Sequence, residues 1–196
     1  MSGNNRGFEM FSQTQRPDML GKSDESLNAP SGASKTPQWV IGTDEDTGIF
    51  DSDMDGDFAK MAVALWIVFG SARLATYDSS GQQSGDGKIV NRDVTVCMKF
   101  GDYGPPLQQW MFSGKKITTI TIKRVISVNG TLIVIQELTY GTCVIKTYEQ
   151  NGDVITFTFA FVTYTDMSLA YDHDGTLVGR VGMSYDAAKI TVAAVS

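Results

Sequence analysis

The strongest constraint on the fold is the density of strand-forming residues between positions 116 and 165. Valine, isoleucine and threonine supply 25 of these 50 residues, which is the composition of β-strands. Ile155, Phe157 and Phe159 alternate with threonines, so one face of this segment is strongly apolar. Turn sequences separate the runs at 129–130 (Asn-Gly), 151–153 (Asn-Gly-Asp) and 174–175 (Asp-Gly). The pattern predicts successive antiparallel strands joined by hairpins.

Hydrophobic periodicity places the remaining elements. It predicts strands at 38–42, 60–76, 88–100, 116–128, 131–138, 141–149, 153–166, 176–185 and 188–195. The run at 61–69 is apolar in both phases of a strand, so we expect cover on both of its sides. One helix is predicted, opened by Pro105-Pro106, continued over 107–112 and closed by Gly114. The expected fold is mainly β: a small antiparallel β-barrel or sandwich of about eight strands with one short α-helix.

Charge and polarity divide the chain into an arm and a body. Residues 1–57 carry 11 acidic and 4 basic side chains, whereas residues 58–196 carry 11 and 12. The first 36 residues show no sustained strand or helix period and are polar throughout, so no secretory signal peptide is expected. We predict a polar N-terminal arm at 1–36 and a β-barrel domain at 37–196.

Composition excludes several classes of function. A net charge of −6 argues against nucleic-acid binding, which needs a basic face. The nine-residue run at 61–69 is too short for a membrane-spanning helix, so no membrane insertion is expected. The single histidine, His173, rules out a histidine cluster for a metal. Cys97 and Cys143 form no CxxC motif and fall in apolar-periodic stretches, which predicts two buried free thiols. No cofactor and no catalytic residue are predicted.

Three short motifs resemble functional loops without completing them. Residues 51–58 have aspartates at calcium-loop positions 1, 3 and 5, but position 12 is Ala62, which is not an acid. A solvated acidic loop is the preferred interpretation there, and weak calcium binding stays open. The Asp-His-Asp-Gly-Thr sequence at 172–176 is similar to a phosphatase motif, but no α/β pattern follows it, so a hairpin turn is expected. The glycine-rich loop at 81–87 lacks the Lys-Ser/Thr that phosphate binding requires.

The order of segments from about 69 to 171 is distinctive. A strand is followed by the polar loop at 77–92, the strand at 93–100, the sequence PPLQQWMFSGKKI at 105–117 and then successive strands. This order resembles the haemolysin-coregulated protein (Hcp) family, the tail-tube component of type VI secretion. That family has a Ser/Gly/Gln-rich loop, then a strand, then a short helix, and antiparallel strands follow. The helix has the form PLhxAhxSG, in which h is an apolar residue and x is any residue. The segment QWVIG at 38–42 corresponds to the family's first strand.

The resemblance implies a structural protein and not an enzyme. It implies hexameric rings that stack into the inner tube of a contractile injection system, with effectors carried in the bore. The implied partners are other copies of the chain, the contractile sheath, the baseplate or spike, and effectors. The chain would be assembled in the bacterial cytoplasm and secreted through the apparatus. The predicted ring-stacking residues are Tyr77, Asp78, Gln82, Gln83, Asp86 and Lys88. The predicted lumen face consists of Thr119, Thr121, Lys123, Thr156 and Thr158.

Two other interpretations remain open from the sequence. Contractile phage tail-tube proteins share the implied fold, so a phage tube fits the same pattern. A monomeric β-sandwich that binds carbohydrate or a cell surface would instead use exposed aromatic side chains. The candidates for such a surface are Tyr140, Tyr148, Tyr164 and Tyr171, although their spacing also fits packing within hairpins.

Overall fold

The fold is mainly β, as the strand-forming composition predicts. The computed structural model describes residues 38–44, 49–50, 58, 60–73, 76–77, 83–84, 89–128, 130–172, 175–187 and 191–195. Among these residues there is one helix, α1 (Gly104–Ser113). The strands are β1 (Gln38–Thr43), β2 (Met61–Val68), β3 (Ser71–Arg73), β4 (Thr76–Tyr77), β5 (Gln83–Ser84), β6 (Ile89–Asn91), β7 (Val94–Lys99), β8 (Lys116–Val128), β9 (Thr131–Asn151), β10 (Val154–Ala160), β11 (Thr163–Tyr171), β12 (Leu177–Asp186) and β13 (Thr191–Val195). The predicted arm at 1–36 lies outside the described residues.

Six strands close into a ring. The order is β10, β7, β2, β1, β8 and β9, and β9 pairs again with β10. All the pairings are antiparallel, and two-residue turns join β8 to β9 and β9 to β10. Closing the ring leaves these strands without a free edge where they pair. The main sheet also continues outward from β9 through β11 and β12 to β13, and we call these three strands the extension.

The ring encloses the main hydrophobic core. The predicted apolar face of β10 is confirmed, because Ile155, Phe157 and Phe159 are fully buried. Ile41 of β1 and Ile122 of β8 face the same core from the adjoining strands. Burying an aromatic side chain of this size stabilises the fold by about 1.5–3 kcal/mol, so the alternating face of β10 is a principal stabilising element.

Helix α1 covers one part of the ring. The two prolines occupy its first turn and Gly114 terminates it in the left-handed conformation, with φ of 62°. Leu107 and Trp110 are buried in the ring core, and Lys115 lies over the Trp110 ring at 4.2 Å. The predicted helix is therefore confirmed, and the structure starts it one residue before Pro105.

Strand β9 changes its buried face in mid-course. Leu138 and Tyr140 face the core before Thr142, whereas Cys143 and Ile145 face it afterwards. Thr142 has φ of +53°, a left-handed conformation that is rare for a β-branched residue. The sequence predicts two strands here, at 131–138 and 141–149. That prediction is wrong, because the break in alternation marks a change of face within one continuous strand.

The neighbouring strand β8 changes face at the same level. Ile120 and Ile122 are buried at even positions, and Ile117 is buried at an odd position. The pairing with β9 keeps one register on both sides of this point. Beside it, the side chain of Asp44 accepts a hydrogen bond of 2.9 Å from the Thr119 amide. The paired change lets both strands contribute buried side chains to the core along their whole length in the ring.

Other predicted strands are divided differently in the structure. The predicted strand at 153–166 is two strands, β10 and β11, and the one at 88–100 is β6 and β7. The segment 60–76 contains β2 and β3, which a break at 69–70 separates. The expectation of cover on both sides of β2 is also wrong. Val63 and Leu65 are 40% and 45% exposed, because only the opposite side of β2 faces the ring core.

Candidate assembly surfaces

A two-stranded hairpin projects from the sequence between β2 and β7. Strand β3 pairs with β6, and further out β4 pairs with β5. At its base, the Arg92 amide donates a 2.9 Å hydrogen bond to the Gly70 carbonyl. Of the predicted ring-stacking residues, Tyr77 and Gln83 are register partners in the outer ladder. Asp78, Gln82, Asp86 and Lys88 lie outside the described residues. The ring-stacking role of the set stays a prediction.

The base of this hairpin lies against the extension and encloses a cleft. The cleft has a volume of about 270 Å³. Ser71 of β3, Asn91 of β6, Tyr164 of β11 and Met183 of β12 line it, and we call it the Tyr164 cleft. The other lining residues are Ala72, Ile89 and Tyr185. Asn91 Oδ1 is buried and has no hydrogen-bond partner among the described residues.

A row of tyrosines joins the ring core to this cleft. Tyr140, Tyr164 and Tyr185 are register partners on β9, β11 and β12, so they point to the same side of the sheet. The Tyr140 and Tyr164 rings stack at 6.1 Å, and the Tyr164 and Tyr185 rings lie 5.9 Å apart. Burial, the main cause, raises the pKa of Tyr140 far above its usual value, and Asp166 adds to this effect. Tyr140 is therefore a core residue.

The tyrosines proposed for a carbohydrate-binding surface do not form one. Tyr140 is 2% exposed, and Tyr148, Tyr164 and Tyr171 are half-buried. The Tyr171 hydroxyl donates a 2.7 Å hydrogen bond to the Val134 carbonyl, on the part of β9 beyond its pairing with β11. These contacts are packing within and between hairpins, the other option that the sequence left open.

The predicted lumen residues face away from the ring core, in two separate groups. Thr119, Thr121 and Lys123 lie on β8, whereas Thr156 and Thr158 lie on β10. Thr121 pairs with Thr139 and Thr158 pairs with Thr147, both on β9. The two groups therefore lie along different stretches of β9, one on each side of Thr142.

The two groups also differ in their contacts. Lys123 Nζ lies 3.8 Å from Glu137 Oε2 and 5.7 Å from the centre of the Phe58 ring, so the Lys123 side chain is partly covered. The Thr158 and Thr95 hydroxyls are 3.2 Å apart, which is a hydrogen bond between neighbouring strands. Both groups offer hydroxyl-rich surfaces with little free charge. Their position in a lumen stays a prediction.

Apolar side chains remain uncovered on two other surfaces. Val178 and Val181 on β12 are 63% and 70% exposed, and Val63 and Leu65 on β2 are 40% and 45% exposed. Phe112, near the end of helix α1, is 76% exposed. Contiguous exposed apolar surface commonly marks an interaction site. In addition, β13 pairs only with β12 among the described residues, so its outer edge has free backbone groups there.

The two cysteines and the described part of the 172–176 motif make structural contacts. Both cysteines are buried free thiols, as predicted, and burial raises the pKa of each. In the 172–176 motif, the Asp172 side chain accepts a 2.9 Å hydrogen bond from the Thr176 amide, which is a turn-stabilising contact. His173, Asp174 and residues 51–57 of the acidic loop, where the sequence leaves weak calcium binding open, lie outside the described residues. Within the described ranges there is no cluster of three metal-ligating side chains and no helix suited to span a bilayer.

The chain is similar in fold to solved structures of type VI secretion proteins, Hcp proteins among them. No family model matches the sequence, and no curated protein matches it. Solved structures do match. One described as a type six secretion system protein gives a TM-score of 0.69 at 16% sequence identity, over 81% of this chain and 100% of that chain. The predicted resemblance to Hcp proteins is confirmed for the fold.

Two further matches have the same character. Hcp1 from Salmonella typhimurium gives a TM-score of 0.58 at 16% identity, over 80% of this chain and 99% of its own. A type VI secretion system effector from Yersinia pestis gives 0.56 at 14% identity, over 76% of this chain and 98% of its own. Identities this low leave the fold as the shared property.

Sequence reasoning missed the Tyr164 cleft and the exposed Phe112. The cleft joins residues of widely separated segments, from Ser71 to Tyr185, and no local pattern shows that β3 and β6 lie against β11 and β12. Phe112 falls in the predicted helix, where an aromatic residue is typical of a buried face. The one sequence signal for the exposure of Phe112 is its position next to Ser113 and Gly114, at the end of the helix.

Proposed function

We propose that this protein is the tube-forming component of a type VI secretion system. In this proposal, six copies close into a ring and the rings stack into the hollow inner tube. The observation that carries the proposal is the match to the whole length of a solved type six secretion system protein. Because the sequences are only 16% identical, the match supports the function by analogy of fold.

The uncovered surfaces support a protein whose partners are copies of itself. Val178 and Val181 on β12 and Val63 and Leu65 on β2 are apolar and exposed in a single copy. A head-to-tail contact of one of these surfaces with the other, without its reciprocal, is heterologous. Heterologous contacts that close give rings, and those that do not close give filaments. A tube needs both kinds.

The remaining roles follow the same resemblance. The hairpin that contains Tyr77 and Gln83 would reach the next ring, and its predicted stacking set includes Asp78, Gln82, Asp86 and Lys88. The threonine-rich surfaces of β8 and β10 would line the bore. Hydroxyl-rich walls are wetted without binding a cargo strongly. The contractile sheath, the baseplate or spike and the effectors would be partners, and the tube would leave the bacterial cytoplasm through the apparatus.

The decisive experiment measures the assembly state of the full chain. We expect sedimentation velocity at tens of micromolar to give a particle of six times the 21.3 kDa monomer mass, with longer species in addition. Negative-stain electron microscopy of the same sample should show rings and short tubes. A single 21.3 kDa particle at every concentration and salt tested would overturn the proposal.

A further inference from the structure

Phe112 and the Tyr164 cleft have complementary shapes. Phe112 is 76% exposed, the largest exposure among the large hydrophobic residues described. The cleft of about 270 Å³ has aromatic and thioether walls from Tyr164, Tyr185 and Met183. An apolar cavity of about 150 Å³ is enough to take up benzene. The cleft therefore has room for a phenyl ring, and aromatic and sulfur walls favour one.

From these observations we infer that Phe112 of one copy inserts into the Tyr164 cleft of the next copy. The inference rests on the proposed self-assembly and specifies one of its contacts. The two features lie on different elements, α1 and the β3–β6–β11–β12 group. In the proposed ring, each copy gives its Phe112 to one neighbour and receives the Phe112 of the other neighbour in its cleft, so the contact runs head to tail.

The first test removes or blocks the contact and measures assembly. Phe112→Ala removes the inserted ring, and Ala72→Leu fills the cleft from β3. We expect each variant to raise the concentration of half-maximal assembly about tenfold or more. Each should keep the wild-type circular dichroism spectrum as a dilute monomer. Assembly of both variants at the wild-type concentration would overturn the inference.

The second test locates the contact directly by disulfide trapping. A Phe112→Cys protein is mixed with a size-tagged Ala72→Cys protein, assembled and oxidised. We expect a disulfide-linked pair of one tagged and one untagged chain, because Phe112 would lie beside Ala72 of the neighbour. In the matched control, the size-tagged protein carries Val178→Cys and keeps Ala72. Val178 is exposed but does not line the cleft. An equal yield of linked pairs in the control would contradict the inference, and so would a lack of linked pairs in the test mixture.

These outcomes separate the inference from the proposed function. If the wild-type chain never assembles, the proposed function fails. If it assembles but the variants assemble equally well and no specific disulfide forms, only the inferred contact fails. Cys97 and Cys143 are buried, so the unaltered chain is the control for background oxidation.

Discussion

Cys143 lies in the ring core, where burial determines its chemistry. Its side chain is fully buried and its Sγ donates a 3.4 Å hydrogen bond to the Tyr140 carbonyl. Burial, the main cause, raises the pKa of the Cys143 thiol to about 12. A backbone hydrogen bond at Ile120 acts in the opposite direction, and Asp44 adds to the increase. The thiol is therefore protonated and unreactive at neutral pH, as expected for a structural cysteine.

This raised pKa predicts alkaline destabilisation. In the unfolded chain the thiol has a pKa near 9.0, so above that pH the unfolded state loses a proton that the folded state keeps. The contribution to stability is therefore complete below pH 9 and is lost as pH rises towards 12. We expect the unfolding free energy in urea to fall less steeply between pH 9 and 11 for Cys143→Ser than for wild type. Parallel pH profiles for the two proteins would contradict this assignment.

At the scale of the element, Thr142 carries the change of face in β9. A left-handed backbone costs a residue with a β-carbon about 1–2 kcal/mol, and glycine avoids this cost. Thr142 is exposed, so its side chain provides little packing that would be lost. The local strain follows from the need of β9 to face the core on both sides of this residue.

We predict that Thr142→Gly stabilises the protein, by about 0.5–1 kcal/mol after the entropy cost of glycine is included. The matched control is Thr147→Gly, an exposed threonine on the same strand without a positive φ. That change should destabilise the protein by about 1 kcal/mol. Urea denaturation of dilute protein measures both. Equal destabilisation by the two changes would show that Thr142 carries no strain.

The elements differ in how far their sequences predict them. The predicted bounds of β8 are the observed ones, and α1 agrees to within a residue at each end, because turn or capping residues flank both. The continuous course of β9 could not be predicted, since the break in alternation looks like the end of one strand and the start of another until the two neighbouring strands are known. Which side chains of β2 are buried also depends on long-range packing. Val63 and Leu65 have the same local pattern as buried residues, and only the ring geometry leaves them exposed.

At the scale of the whole molecule, most backbone pairing is satisfied within one copy. The closed ring has no free edge where its strands pair, so contacts between rings in the proposed tube would use parts outside the ring, such as the outer edge of β13, and exposed side chains. The hairpin between β2 and β7 is such a part. At its base, β3 pairs with β6, and both strands line the Tyr164 cleft together with β11 and β12. In its outer ladder, Tyr77 pairs with Gln83.

Deleting residues 79–87 should therefore affect stacking and spare the subunit. The deletion leaves Ser71–Arg73 and Ile89–Asn91 in place, so the base ladder and the ring core remain. We expect an unchanged melting temperature for the dilute monomer and unchanged rings, with tubes that are shorter or absent in negative-stain images. A variant with an equal-length Gly/Ser segment at 79–87 separates the loss of specific contacts from the loss of reach. If the deletion leaves the distribution of tube lengths unchanged, the hairpin does not join the rings, and the stacking contact lies elsewhere on the subunit.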